Sequence, residues 1–322
     1  MKRLSTVVML VVSALWALGA SAQMYPNRPI KLIVADSAGG APDQLGRLIT
    51  ERLSNNVNQP VVVDNRPGAG GALGAELAAK SAPDGYTLLL TTTAIYAILP
   101  NLRKNLPYDP VRDFVPITRI ATASNVLVVN NELPVKDIAE LVKLAKEKPG
   151  ALNYASAGVG TPAHLAGEML NLLADIKVVH VPYKGAAPAL ADVIGGNAQY
   201  IITSPLAAGA HMNGGRVRAL ATTGTQRNPS LPDLATIAET LPGYDITQTW
   251  GIVVPTGTPP EIVNKLSAEI VKVMNQPDVR EKVLATGATP VGDSPAQFEA
   301  FMTKERQRLG DVIAKRGIVL TD

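Results

Sequence analysis

The sequence predicts an α/β protein built as two domains, each a mainly parallel sheet flanked by helices. Short β-rich runs such as IKLIVAD, VVVDN, TLLLTTT, VLVVNN and YIITSP alternate with stretches of helical periodicity, the pattern produced when crossover helices join neighbouring strands. The chain of 322 residues is long enough for two cores of ordinary size. Two strand-like stretches without strong loop signals, Ile117 to Asn131 and Gly243 to Pro255, mark places where the chain leaves one domain and later returns. The expected division is a leader over residues 1–22, a first domain over 23–121 plus 250–322, and a second over 122–249.

The leader is read from MKRLSTVVMLVVSALWALGASA: Lys2 and Arg3, an apolar stretch from Val7 to Leu18, and Ala20-Ser21-Ala22 before Gln23. That order is a secretory signal, with cleavage expected after Ala22, and the apolar run is shorter than the about 20 residues a membrane span needs. Cysteine count is zero, which excludes a disulfide framework and a lipidated anchor. A free periplasmic protein without membrane insertion is the expected form, and a monomer. The formal charge of +3 falls to +1 once Lys2 and Arg3 leave, so no polyanion-binding surface is signalled and nucleic acid is not an expected partner.

Along the rest of the chain, LIVADSAGGAPDQLGRLI, Leu32 to Ile49, reads as strand, Ser-Ala-Gly turn and proline-started helix. LNYASAGVGTPAHLAGEML, Leu152 to Leu170, repeats that outline in the other domain. Between them NRPGAGGALGAELAAK, Asn65 to Lys80, suggests a nucleotide loop at first sight. Its glycines miss the G-x-G-x-x-G spacing, since Leu73 stands three after Gly70, and no Walker lysine is followed by Ser or Thr. Close backbone packing and a rim for a cleft are the readings kept. A helix is expected from about Val135 to Lys148, stopped by Pro149-Gly150. Another spans Pro259 to Met274, with Thr258 to Glu261 as its capping signature, and a last one opens at Ser294-Pro295-Ala296-Gln297.

The two Ser-Ala-Gly turns carry the chemistry. A helix start has backbone N–H groups without intrahelical partners and a partial positive charge, so it can hold a carboxylate without a cationic side chain. Ser37, Ala38, Gly39 and Gly40, like Ser156, Ala157, Gly158, Val159, Gly160 and Thr161, leave room for a ligand to approach the main chain. Pro42 and Pro162 suit the first helical position. The alternative is that small residues merely permit tight strand-to-helix turns. Thr161 also serves as an ordinary helix cap, and Asp43 either complements the helix dipole or orders a ligand.

These segments, with YPNRPIKLIV, PDGYTLLL, LPYDPVRDFVPI, HVPYKGAAPAL, ADVIGG, GRVRALATT and LPDLATIAE, resemble the extracytoplasmic solute receptors of tripartite tricarboxylate transporters, the Bug family, over nearly the whole chain after the leader. The resemblance implies a two-lobed periplasmic binding protein fold of type II-like form. Its lobes are joined by two hinge crossings and close on a carboxylate-bearing solute, which is delivered to the permease subunits of a tripartite membrane transporter. It places the ligand's carboxylate on main-chain amides, hydroxyls and waters of the loops that run here from Ala38 through Gly39 and Gly40 to Asp43, and from Ser156 through Gly158, Gly160 and Thr161 to His164. It adds Tyr183, Lys184 and Gly185 near the cleft, with a solvated loop cation as the alternative for Lys184, and Asp192 for ligands with an amino or hydroxyl group, where a helix-surface role is the alternative. Solute identity is expected from Thr91 to Tyr96, Thr203 to Pro205 and Gln248 to Trp250, with Tyr96 and Trp250 either flanking the ligand body or packing the core.

No catalytic residue, metal or cofactor is expected. Gly-x-Ser-x-Gly is absent, and the three histidines, His164, His180 and His211, lack a metal-binding spacing. A periplasmic hydrolase and a sensor feeding a signalling partner remain the alternatives.

Overall fold

The computed structural model describes residues 25–36, 38–183 and 186–318. The expected leader and its cleavage after Ala22, and the turn residues Ser37, Lys184 and Gly185, lie outside the described residues. The first lobe starts with β1 (Ile30–Val34), whose apolar run pairs in parallel with β2 (Val61–Asn65) on one side and β3 (Thr87–Thr92) on the other. Between β1 and β2 lies α1 (Ala41–Val57). Leu45, Ile49 and Leu53 fall four apart on one face and are buried against the sheet, the period an amphipathic helix requires. A short 3-10 turn (Ala69–Gly71) leads into α2 (Ala72–Ala79), and β3 leads through a π-helical turn (Ala94–Ile98) into α3 (Leu99–Leu102).

Strand β4 (Phe114–Ser124) then runs almost directly into β5 (Val126–Asn130), so the change of sheet falls at Asn125 rather than at residue 121. The physical reason is pairing: β4 stays hydrogen-bonded to the returning strand β10 (Thr247–Pro255) as far as Ser124, opposite Thr247. The second lobe holds α4 (Ile138–Glu147), β6 (Asn153–Ser156), α5 (Pro162–Ala174), β7 (Val179–Pro182), α6 (Ala186–Ile194), β8 (Tyr200–Thr203), α7 (Pro205–Asn213), β9 (Val217–Thr222) and α8 (Ile237–Thr240). After β10 the chain completes the first lobe with α9 (Pro260–Met274), α10 (Pro277–Ala285), β11 (Thr289–Pro290) and α11 (Pro295–Arg316).

Among the described residues the strands form two sheets, in the orders β11-β4-β10-β3-β1-β2 and β7-β6-β8-β5-β9. Both are mixed rather than mainly parallel. Strands joined by helices pair in parallel, whereas β10 is antiparallel to β3 and β4, and β5 is antiparallel to β8 and β9. Strands β5 and β10 enter their sheets from the other lobe instead of through a βαβ unit, and the short β11 adds a further antiparallel pair with β4.

Caps fix the helix starts. Asp137 caps α4, and Ser294 with Gln297 forms a reciprocal capping box on α11. Thr258 does not cap α9: its hydroxyl donates to the Pro255 carbonyl at 2.7 Å, and Pro259 takes the cap position. The last helix also reaches across the lobes. Arg308 pairs with Glu305 at 2.5 Å and donates to the Asp245 carbonyl at the return crossing; within the first lobe Phe298 packs edge-on to Tyr96 at 6.4 Å.

Candidate functional site

Two adjoining cavities lie between the lobes. The first, of about 360 Å³, is lined by Ala35 and Asp36 after β1, Pro42 at the start of α1, Pro67, Gly68, Gly70 and Gly71 before α2, Thr92 at the end of β3, Ala94 after it, Gln248 of β10, and Pro162 of α5. The second, of about 270 Å³, shares Asp36, Pro42 and Gln248 with it and extends to Leu45, Ala123, Pro205, Trp250 and Ala288. No lysine or arginine lines either cavity among the described residues. What faces the space is the starts of α1, α2 and α5, which carry partial positive charge and amide donors without a formal cation.

The α1 loop is held by Asp43, which is buried. Its Oδ2 accepts from the Gly39 amide and from Arg47 Nε, each at 2.9 Å, and its Oδ1 accepts from Asn65 Nδ2 at 2.9 Å. The Arg47 bond, with those from Gly39 and Asn65, lowers its pKa to about 2. Asp43 therefore ties the turn to the end of β2, with both its oxygens bonded inside the protein. Gly39 takes φ +86° and Gly40 an extended φ of −71°, so only the first needs to be glycine on conformational grounds.

The α5 loop is built on its own side chains. The Ser156 hydroxyl, wholly buried, accepts from the Gly158 amide at 3.1 Å and lies 2.7 Å from His180 Nε2. Thr161 Oγ1 donates to the Gly158 carbonyl at 2.8 Å and accepts from the His164 amide at 3.3 Å, as a helix cap does. The Gly160 amide donates to His164 Nδ1 at 3.1 Å, which fixes that imidazole as neutral with its proton on Nε2. So the amides of Gly158 and Gly160 already have acceptors, and these residues shape the loop.

Behind this loop four rings stack in series. His164 lies 4.0 Å from His180, His180 4.9 Å from Tyr154, and Tyr154 5.6 Å from Tyr200, centroid to centroid. Gly167 makes room for the stack: a Cβ there would stand 2.2 Å from Tyr154 Cε2. Burial first, then the neighbouring His164, lowers the His180 pKa to about 4, and burial lowers that of His164.

Tyr183 and Asp192 form a second brace. The Tyr183 hydroxyl donates to Asp192 Oδ2, which raises the phenol's pKa to about 12, and Asn197 Nδ2 donates to Asp192 Oδ1 at 3.3 Å. Asp192 is thus engaged by its own lobe. The Tyr183 amide donates to the Ser156 carbonyl at 3.0 Å, which links this brace to the α5 loop.

Of the expected ligand residues, Trp250 lines a cavity directly, and so do Thr92, Ala94, Ser204, Pro205 and Gln248 of the segments expected to set solute identity. Ala38, Gly39 and Gly40 precede the lining residues Ala41 and Pro42 of α1; Gly158, Gly160 and Thr161 precede Pro162; and Thr203, buried at the end of β8, precedes Ser204 and Pro205. Sequence reasoning placed Asn65 to Lys80 at most at a rim, yet Pro67, Gly68, Gly70 and Gly71 line the first cavity. The run of positive φ at Gly68, Ala69, Gly70 and Gly71 was legible as glycine richness; its direction was not. His180, Tyr154 and Tyr200 carried no motif, because the stack joins β6, β7, β8 and α5 across sequence.

A cleft between two α/β lobes, walled by helix starts and lined by no lysine or arginine among the described residues, is the architecture of a solute-binding protein. The chain belongs to the tripartite tricarboxylate transporter receptor family, whose model matches residues 45–318. It is 35% identical over 323 residues to the protein BugT of Bordetella pertussis, covering 99% of each chain. It is 39% identical over 293 residues to a protein from the tcbD-tcbE intergenic region of Pseudomonas sp. strain P51, covering 90% of this chain and 87% of that one. Among solved structures it resembles R. palustris Rpa4515 with adipate, at 35% identity and TM-score 0.81, covering 92% of this chain and 99% of that one. It also resembles MatC of Rhodopseudomonas palustris with bound malate, at 30% identity and TM-score 0.76, over 90% and 100% of the chains.

Proposed function

We propose that this protein is a periplasmic receptor that captures a small carboxylate-bearing solute between its lobes and hands it to the permease of a tripartite transporter. The observation that carries the reading is the first cavity, where the starts of α1, α2 and α5 converge with no cationic side chain in the lining among the described residues. Such a site favours an anion through amides and helix dipoles, and relatives of this chain hold adipate and malate. Groups from both lobes reach the solute only when the lobes are together, so the solute stabilises the closed form. Delivery then follows if the permease recognises the closed surface.

Hydrolysis is the weaker reading. Ser156 and His180 stand at nucleophile–base distance, 2.7 Å, but the serine is wholly buried and bonded to Gly158 of its own loop, whereas a nucleophile must reach substrate. A thermal-shift screen of organic acids tests the proposal, because a solute that binds only the folded protein raises its melting temperature. Di- and monocarboxylates should raise it and matched amides should not; a screen in which amides act as strongly as acids would remove carboxylate capture.

A further inference from the structure

A cavity of about 500 Å³ in the first lobe shares no lining residue with the two in the cleft. Its wall comes from α3 and the residues after it, from the segment Leu106 to Asp113, and from Arg306 of α11. That segment is the LPYDPVRD stretch of the sequence, and no residue of it lines either cleft cavity.

Four cations line this cavity, Arg103, Lys104, Arg112 and Arg306, against two acids, Asp109 and Asp113. The acids are engaged within the segment. Asp109 Oδ1 accepts from the amides of Val111 and Arg112 at 2.8 and 3.0 Å. Asp113 Oδ2 accepts from the Asp109 amide at 2.7 Å, and its Oδ1 from Arg112 Nε at 3.3 Å. The Arg112 and Val111 amides lower the Asp109 pKa, and the Arg112 and Arg306 charges add to that. Arg103, Lys104 and Arg306 are in no salt bridge among the described residues. The wall therefore presents an excess of positive charge whose counter-charge the first lobe does not supply.

The backbone that carries these cations is held in place. Tyr108, 5% exposed, donates to the Ile95 carbonyl at 2.7 Å. Thr256 donates from its hydroxyl to the Arg112 carbonyl at 2.7 Å and from its amide to the Asp113 carbonyl at 2.9 Å. Ile95 follows Ala94 of the first cleft cavity, and α11, which supplies Arg306, holds the return crossing through Arg308. A partner seated here would rest on elements that adjoin both the cleft floor and the crossing between lobes.

We propose that this cavity receives an acidic segment of the permease, with Arg103, Lys104 and Arg306 as the ion-pairing contacts. Val111, 59% exposed beside them, adds an apolar contact. Charge complementarity sets the sign of the partner, and the concave wall suits a protruding chain better than a flat lipid surface. The inference rests on delivery to a permease, the reading proposed above.

Titration of the receptor, without its leader, with tetraglutamate carrying an uncharged dye tests it. Saturable binding is expected at low ionic strength, absent for tetraglutamine and lost at about 1 M salt, where the screening length is about 3 Å. Lys104→Gln with Arg306→Gln should weaken binding about fivefold, and Lys104→Arg with Arg306→Lys should retain it. Both pairs should leave the affinity of the cleft for an organic acid unchanged. In cells that carry the permease and lack the receptor, the Gln pair should slow uptake of that labelled acid and the charge-retaining pair should not. Equal tetraglutamate binding by all three receptors, or unchanged uptake with the Gln pair, would overturn the docking site while leaving solute capture intact. Charge-dependent binding to phosphatidylglycerol vesicles without binding to tetraglutamate would overturn it in favour of a lipid surface. Failure of the unchanged receptor to bind any organic acid would instead remove the capture reading beneath it.

Discussion

Gly158 shows how a single position separates conformation from bulk. Its φ of +132° excludes most side chains, and an added Cβ would approach the Tyr183 carbonyl to 3.3 Å. Gly158→Val should cost about 1–3 kcal/mol of stability and abolish solute binding, read by chemical denaturation and calorimetry on the same sample. Gly40→Val should behave differently, because φ −71° suits any residue: the melting temperature should hold while the branched side chain beside Pro42 weakens binding. Equal losses of stability in both variants would contradict this distinction. The sequence made both glycines candidates by their place before a proline-started helix. It could not separate them, because left-handed backbone is set by how the turn folds back. Asp43 was legible for the same reason, yet its role as a latch between Gly39, Arg47 and Asn65 depends on a partner from β2 that local spacing does not reveal.

At the scale of elements, the ring stack under the α5 loop makes the loop sensitive to pH. The Gly160 bond requires neutral His164, and His180 titrates at about 4 instead of the 6.5 of a free histidine. A depressed histidine means that the unfolded or opened loop binds more protons between those values. The stability contributed by the neutral stack is complete above pH 6.5 and is lost as pH falls toward 4. Solute affinity should accordingly decline across that window and be flat above it; calorimetry at stepped pH, with an acid ionised throughout, checks this. A second expectation is structural. Gly167→Ala would push a methyl into the Tyr154 ring and should cost about 1–3 kcal/mol, measured by urea unfolding.

Among the helices that bound the cleft, α1 was readable from its early proline and α5 from its proline and hydroxyl cap, whereas α2 starts after glycine with neither; β1, β3, β5 and β8 were readable from their apolar runs. The mixed character of the sheets was not, since β4, β5 and β10 look like any buried strand until the topology shows that they cross between lobes. The stack was hidden for a similar reason. Tyr154, His180 and Tyr200 sit on strands far apart in sequence, and only parallel registers bring Tyr154 opposite both His180 and Tyr200.

For the whole molecule the decisive feature is how the two crossings are tied. Thr223 Oγ1 accepts from the Asn125 amide at 2.9 Å and donates to the Ile246 carbonyl at 2.7 Å, so one buried hydroxyl joins the outgoing and returning strands. Thr223→Val removes both bonds and leaves a buried carbonyl at Ile246 and a part-buried amide at Asn125 without them, which should lower stability by about 1–3 kcal/mol in chemical denaturation. The same change should alter how readily the lobes close, seen as a change in affinity with the cleft lining intact. Across the junction, Arg308 of α11 holds the Asp245 carbonyl while paired to Glu305, a second link between the C-terminal helix and the return crossing.

On the proposed reading, helix starts and main-chain amides hold the solute's negative charge, with no cationic side chain in the lining among the described residues. Calorimetric titration with adipate and with its uncharged diamide at neutral pH tests it most directly, because the two have the same carbon chain and differ in charge. Adipate should bind saturably at one site and the diamide should produce no measurable heat of binding. Equal affinity for both, or no binding of the acid, would contradict the account.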